Sequence, residues 1–303
     1  MITAKRRGSI SRLGICAFSL AAFGALLLLA AAQTQGENKM VAHIERKTCQ
    51  APDGVTIVYS AAGAGEPALV FIHGGLADRT FWDGQLKAFA NRHRVLAVDL
   101  AGHGESGTNR SKWGIPEFAA DVRAVVEAEK PKRVIVIGNS LGGPVAIEAA
   151  LLLPGRALGV VGVDTFQDLG SKIGADEARP RAELFRSDFS GGLKQMLRAL
   201  FHPDADPALV AETERRMART SPEAAYATLL SLAGYDTGPP ARRLSVPIRT
   251  INGDLFPTDV EAVRRVKADF DAVILTHMGH YPMLEHPEEF NRHLGLIIAE
   301  LSR

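Results

Sequence analysis

The chain has 303 residues, 46% of them hydrophobic and 23% charged, with a formal net charge of +1. That length and apolar content can bury a full core and exclude a disordered tail or a small stapled scaffold. Lys5, Arg6, Arg7 and Arg12 lie in the first 32 residues with no acidic residue among them, which leaves the remainder at about −3 and argues against nucleic acid as a partner.

The N-terminus reads as an export signal. "KRR" precedes the apolar run from Leu13 to Ala32, which ends in small residues before the polar "QTQGENK". Cleavage near Ala32 fits the small-residue rule. The run also approaches the roughly 20 residues that span a bilayer, so an uncleaved anchor with membrane association through residues 13 to 32 is the alternative. Both readings place the rest of the chain outside the cytoplasm, periplasmic or secreted. The sequence after Arg6 and Arg7 fits twin-arginine export poorly, and Cys16 precedes most of the apolar run, the wrong place for lipidation. Beyond the leader only Cys49 remains, so no intramolecular disulfide is expected there. Residues 33 to 50 read as a linker.

From Val41 onward strand and helix patterns alternate. "VTIVYSAAG" (55 to 63) and "ALVFIHGG" (68 to 75) look like a hairpin-forming pair. "RVLAVDL" (94 to 100), "RVIVIG" (133 to 138) and "LGVVGVD" (158 to 164) are short, β-branched and almost wholly apolar, as suits strands buried on both faces of a mostly parallel sheet. Helix-length segments lie around 79 to 91, 116 to 129 and 141 to 153. "VPIRTING" (246 to 253) and "DAVILTH" (271 to 277) resume the strands, and a last helix runs from about Pro287 to Leu301. The expected class is a doubly wound α/β sheet. Residues 166 to 244 break the alternation with helical spacing in "RAELFRSDF", "LKQMLRALF", "PALVAETERRMA" and "PEAAYATLLSLAG", and are too long for a loop. They read as a helical cap inserted between core segments 51 to 165 and 245 to 303.

In "GNSLG", residues 138 to 142, a strand must turn sharply into a helix. Such a turn holds Ser140 in a strained conformation with its hydroxyl above the sheet edge, and the positions two before and two after leave no room for side chains. The following helix N-terminus offers free N–H groups to a developing negative charge. Ser140 is therefore the candidate nucleophile, against the blander reading of a glycine-rich turn. A hydroxyl needs a base. Of nine histidines, His280 follows the last strand in "HMGHYPMLEHPEEF", where a loop can hang an imidazole over the serine. His277, at the strand end, is its rival.

Four motifs in this order, "HGG" (73 to 75), "DLAGHGES" (99 to 106), "GNSLGG" (138 to 143) and "GHYPMLEHPEEF" (279 to 290), resemble the α/β-hydrolase superfamily over essentially all of residues 50 to 302. The resemblance implies an α/β-hydrolase fold with a cap, and an oxyanion hole from the N–H groups of Gly75 and Leu141. It makes His73, Asp99, His103 and Ser106 structural residues beside the site. Where the family often places its acid, "INGDLFPTD" puts Phe256. Asp164, closing the strand before the cap, is the alternative acid position in several branches. Asp254 and Asp259 lie in the usual loop, though Asp259 also suits a helix cap.

Together these residues imply a serine hydrolase that cleaves a carboxylic ester through an acyl-enzyme, with a small-molecule acyl substrate, no cofactor and no metal. A serine at the elbow speaks against the dehalogenases and epoxide hydrolases of this fold, which use aspartate. Lactonase, C–C bond hydrolase and a non-catalytic ligand-binding homologue remain as alternatives. The arginines of "RPRAELFR" and "RRMAR" suit either an anionic substrate or exposed helix faces. Protein recovered from its native host is expected to begin near Gln33, as N-terminal sequencing will show; an intact N-terminus in the membrane pellet would establish the anchor instead.

Overall fold

The structure, a computed structural model, describes residues 43–170 and 174–303. The predicted leader lies outside the described residues. Among those described, no helix is long and apolar enough to cross a membrane. Eight strands form one sheet: β1 (Glu45–Gln50), β2 (Thr56–Ala62), β3 (Ala68–Ile72), β4 (Val95–Val98), β5 (Val134–Asn139), β6 (Ala157–Val163), β7 (Ile248–Gly253) and β8 (Asp271–Leu275). Their spatial order is β1-β2-β4-β3-β5-β6-β7-β8, antiparallel at the β1–β2 and β2–β4 pairs and parallel from β4 to β8.

Two expectations fail here. The segments 55 to 63 and 68 to 75 do not form a hairpin, because β2 pairs antiparallel with β4, Ser60 opposite Ala97, while β3 lies between β4 and β5. Every residue of β3 is buried, which a two-sided parallel position requires and a hairpin edge does not. The stretch 33 to 50 is not wholly a linker either, since β1 occupies its end and edges the sheet against β2.

Strand periodicity divides the core into two layers. Val70, Ile72, Val134 and Val136 face one side, against α2 (Ile115–Glu129) and α3 (Gly142–Leu151). Leu69, Phe71, Ile135 and Ile137 face the other, against α1 (Asp83–Phe89) and the C-terminal helix. Between β6 and β7 lie α4 (Ala175–Ser187), α5 (Phe189–Leu200), α6 (Pro207–Met217), α7 (Pro222–Ser231) and α8 (Gly238–Arg243). Their starts are written in the sequence. Asp188, Asp206 and Ser221 each accept a backbone N–H of the first turn, and Pro207 and Pro222 open their helices where a missing N–H costs nothing. Asp188 also divides "RAELFRSDF" between α4 and α5. The remaining helices are α9 (Val260–Val266), α10 (Pro282–Glu285) and α11 (Pro287–Leu301).

β4 lies on one side of β3 and β5 on the other, so the crossovers diverge and leave a crevice at the carboxyl ends of the strands. The turns beneath it are pinned by buried polar groups. Asp99 accepts the Arg79 N–H at 2.6 Å and pairs with its guanidinium at 2.5 Å, while Ser106 Oγ donates to Asp99 O at 2.7 Å. His73 and His103 are fully buried with ring centroids 4.8 Å apart. Each ring lies against a backbone carbonyl through Nδ1, at Gly74 O (2.7 Å) and Ala101 O (3.0 Å). A carbonyl only accepts, so both imidazoles carry their proton on Nδ1. Nε2 of His73 is then free to accept the Leu100 N–H at 3.1 Å.

Burial holds His73 down at about 4 and, with the neighbouring ring adding to it, His103 at about 3, against 6.5 for a free imidazole. The unfolded chain therefore binds protons that the fold refuses. Stability from these two rings is complete above about pH 6.5 and is lost as pH falls toward their folded values, by about 1.4 kcal/mol per pH unit for each ring. His103→Gln is expected to flatten the slope of unfolding free energy by that amount between about pH 4 and pH 6. Urea titrations at several pH values check this, and an unchanged slope contradicts it.

Candidate active site

β5 enters the crevice fully buried and reverses into α3 at Ser140. The serine has φ 53°, a left-handed conformation that costs a side-chain-bearing residue about 1–3 kcal/mol. Two glycines make the reversal feasible. A Cβ on Gly138 would stand 2.0 Å from Gly142 O, and one on Gly142 would stand 2.6 Å from Ile72 O. The turn is held by Ser140 N donating to Val163 O at 3.1 Å and Gly143 N donating to Ser140 O at 2.9 Å.

His280 is reached from three elements. Its Nδ1 makes a short, buried contact with Asp164 Oδ2. Its N–H donates to Leu200 O at the end of α5 (2.7 Å), and its carbonyl accepts Asn139 Nδ2 at 3.0 Å. On either side of it, the N–H groups of Gly279 and Tyr281 donate to the Glu285 carboxylate at 2.9 and 3.0 Å. Burial pushes the Glu285 carboxyl upward from its ordinary range. The sequence reading gives Asn139 and Glu285 no role. The signal for Glu285 lay in "GHYPMLE", a carboxylate four to six residues after two N–H groups of a tight loop.

The placement of the candidate acid Asp164 follows from the end of β6. Asp164 and Phe166 both have left-handed backbones, φ 44° and 62°, and the turn between them is braced from β7 by Asn252. The Asn252 side chain accepts the Thr165 N–H at 3.1 Å and donates to the Thr165 carbonyl at 3.0 Å. Gly253 N then donates to Asp164 Oδ1 at 3.0 Å, leaving Oδ2 for His280. The other two candidate carboxylates are engaged elsewhere. Asp254 accepts the N–H groups of His277 and Met278 at 3.0 and 3.1 Å, which hold it below the usual carboxylate range. Asp259 caps α9 through Ala262 N at 2.8 Å. Phe256, standing where the family often has its acid, sets its ring edge-on to His280 with centroids 6.1 Å apart. His277 is exposed, with its ring against His202 at 5.5 Å.

Ser140, Asp164 and His280 line one cavity of about 480 Å³, with Gly75 and Leu141 also at its wall. Leu76, Met196, Leu200, Leu229, Leu232, Phe256 and Tyr281 make most of the lining apolar. Arg181 of α4 reaches it too while pairing with Glu177 at 2.7 Å, so the "RPRAELFR" arginine sits on an exposed face and on the cavity at once. Among the described residues, no group of three or more His, Cys, Asp or Glu side chains is arranged to hold a metal ion.

The profile of the alpha/beta hydrolase family matches residues 69–293. The chain is 29% identical to the pimeloyl-[acyl-carrier protein] methyl ester esterase of Nitrosospira multiformis, over 78% of this chain and 95% of that one. It is 26% identical to 3-oxoadipate enol-lactonase 2 of Acinetobacter baylyi, over 82% and 95%. In fold it resembles a thermophilic esterase from Thermogutta terrifontis, with a TM-score of 0.75 at 21% identity, covering 85% of this chain and 99% of that one. With the profile covering the chain from β3 into α11, the chain belongs to the alpha/beta hydrolase family and is a hydrolase.

Proposed function

We propose that this hydrolase cleaves carboxylic esters by nucleophilic catalysis, with Ser140 as nucleophile, His280 as base and Asp164 as the acid that orients it. The observation that carries the reading is the Asp164 carboxylate on His280 Nδ1, with Ser140 on the wall of the same cavity. A carboxylate at Nδ1 keeps the proton there, so Nε2 presents its lone pair. Nε2 takes the proton of Ser140 as Oγ bonds to the acyl carbon. The carbonyl oxygen becomes an oxyanion facing the N–H groups of Gly75 and Leu141. Collapse breaks the acyl–oxygen bond, and the imidazolium gives its proton to the departing alkoxide. Water, deprotonated by His280, then attacks the acyl-enzyme and releases the carboxylic acid, which ionises in solvent, while the proton held by His280 returns to Ser140.

The relatives support the bond type. One is named for a methyl ester and the other for an enol-lactone, and both cleavages break an acyl–oxygen bond. A cavity of about 480 Å³ lies within the range of small-molecule sites, ~300–1,000 Å³, and its apolar walls suit an acyl chain better than a charged group. Lactones, being cyclic esters, fall under the same reading.

Ser140→Ala is expected to abolish labelling by a serine-directed phosphonate and to lower ester turnover by ~10⁴-fold or more. His280→Ala should be comparably damaging, whereas His277→Ala retains most activity. Asp164→Asn should lower kcat by up to ~10⁴-fold through the wrong tautomer, and Asp254→Asn should change kcat little. Steady-state kinetics on a chromogenic acyl ester rank the five proteins. Labelling that persists in Ser140→Ala, or Asp254→Asn matching Asp164→Asn, would overturn the assignment.

A further inference from the structure

The segment from Gly75 to Thr80 carries one half of the proposed oxyanion hole, yet the cap grips it at three points. Thr220, buried between α6 and α7, donates its hydroxyl to Leu76 O at 3.0 Å. Arg219 reaches Asp78 at 3.2 Å. Arg216 donates to Thr80 Oγ1 at 2.7 Å and lies 4.0 Å over the Phe81 ring. On the other side, Thr228 of α7 places its methyl 3.7 Å from where a Cβ on Gly75 would stand. The Thr228 hydroxyl lies 3.3 Å from His103 Nε2. That nitrogen is bare, because Nδ1 holds the proton, so the hydroxyl donates to it.

Leu76 needs this support. It is a buried, γ-branched residue with φ 62°, a left-handed backbone that persists only where the surroundings impose it. Were the chain to relax there, the Leu76–Ala77 peptide would turn and its N–H would leave Gly74 O, which it holds at 3.3 Å; Gly74 O shares a peptide plane with the Gly75 N–H, so that donor would lose its orientation. Thr220 grips Leu76 by its carbonyl, the atom that reports its ψ rotation. The contact comes from the cap and not from the sheet.

We propose that Thr220 is a positioning residue for the oxyanion hole, holding the strained Gly75-Leu76 turn from the cap. The proposal rests on the reading of Gly75 as an oxyanion donor. It separates transition-state stabilisation from substrate binding, because the turn matters most once the carbonyl oxygen is charged.

The test compares Thr220→Val, which keeps the shape and deletes the hydroxyl, with Thr220→Ser, which keeps the hydroxyl. On a chromogenic acyl ester, Thr220→Val is expected to lower kcat by ~10- to 100-fold with KM within about threefold of the starting protein. Thr220→Ser should restore kcat to within about threefold. Affinity for an alkyl boronic acid, whose adduct with the serine is tetrahedral and anionic, should fall in parallel with kcat. Should Thr220→Val lack a cooperative unfolding transition on heating, Thr220→Ala takes its place with the same expectation. A hydroxyl-free variant with native kcat overturns the proposal, as does a loss confined to KM or one that Thr220→Ser shares. If Ser140→Ala keeps full turnover, the nucleophile reading itself fails. If Ser140→Ala is inactive while Thr220→Val is native, only the positioning role is lost.

Discussion

The reversal of the chain at Ser140 is the constraint around which the rest is arranged. A left-handed serine between β5 and α3 is tolerable only where the positions two before and two after carry no side chain and where the strand beneath cannot shift. β5 is paired on both sides, with β3 and β6, and buried on both faces. The sheet therefore absorbs the strain. The same close approach that forbids a Cβ on Gly142 brings the ends of β3 and β5 together, and with them the turn after His73.

Around that fixed point the polar groups are paired before any substrate arrives. Asp164 divides its carboxylate between Gly253 N and His280, and Asn252 spans both backbone groups of Thr165. His280 is held by its N–H, its carbonyl, its ring and the loop on each side. Such over-determination suits a site whose power comes from dipoles that need no reorganisation when charge develops. It also fits the proposed acid sitting after β6. What the imidazole requires is a carboxylate at Nδ1, and the turn with two left-handed residues supplies it while Phe256 fills the space beside the ring.

The cap enters the same network from above. Leu200 O takes the His280 N–H, and the Arg216–Ser221 corner lies against the segment after β3. Residues between β6 and β7 thus hydrogen-bond to backbone carbonyl or N–H groups of two segments that line the cavity.

The sequence by itself determined the alternation of buried strands and amphipathic helices, the elbow at Ser140 and the loop that carries His280. Each is a local matter: strand periodicity, the steric demand for glycine at two positions, and a histidine following the last strand. It left β2 and β3 misjudged as a hairpin, since adjacent apolar runs carry no record of which neighbour they pair with; the sheet order assigns β4 to both. It left the edge strand β1 hidden, because "ERKTCQ" is half-exposed and polar, and only pairing with β2 makes it a strand. Above all, it could not choose among Asp164, Asp254 and Asp259. Asp254 and Asp164 are 90 residues apart in the chain, yet Asp254 is consumed by the N–H groups of His277 and Met278 while Asp164 meets the imidazole 116 residues away. Which carboxylate is left free to accept a ring proton depends on how every nearby N–H is already satisfied, and that is a property of the folded backbone alone.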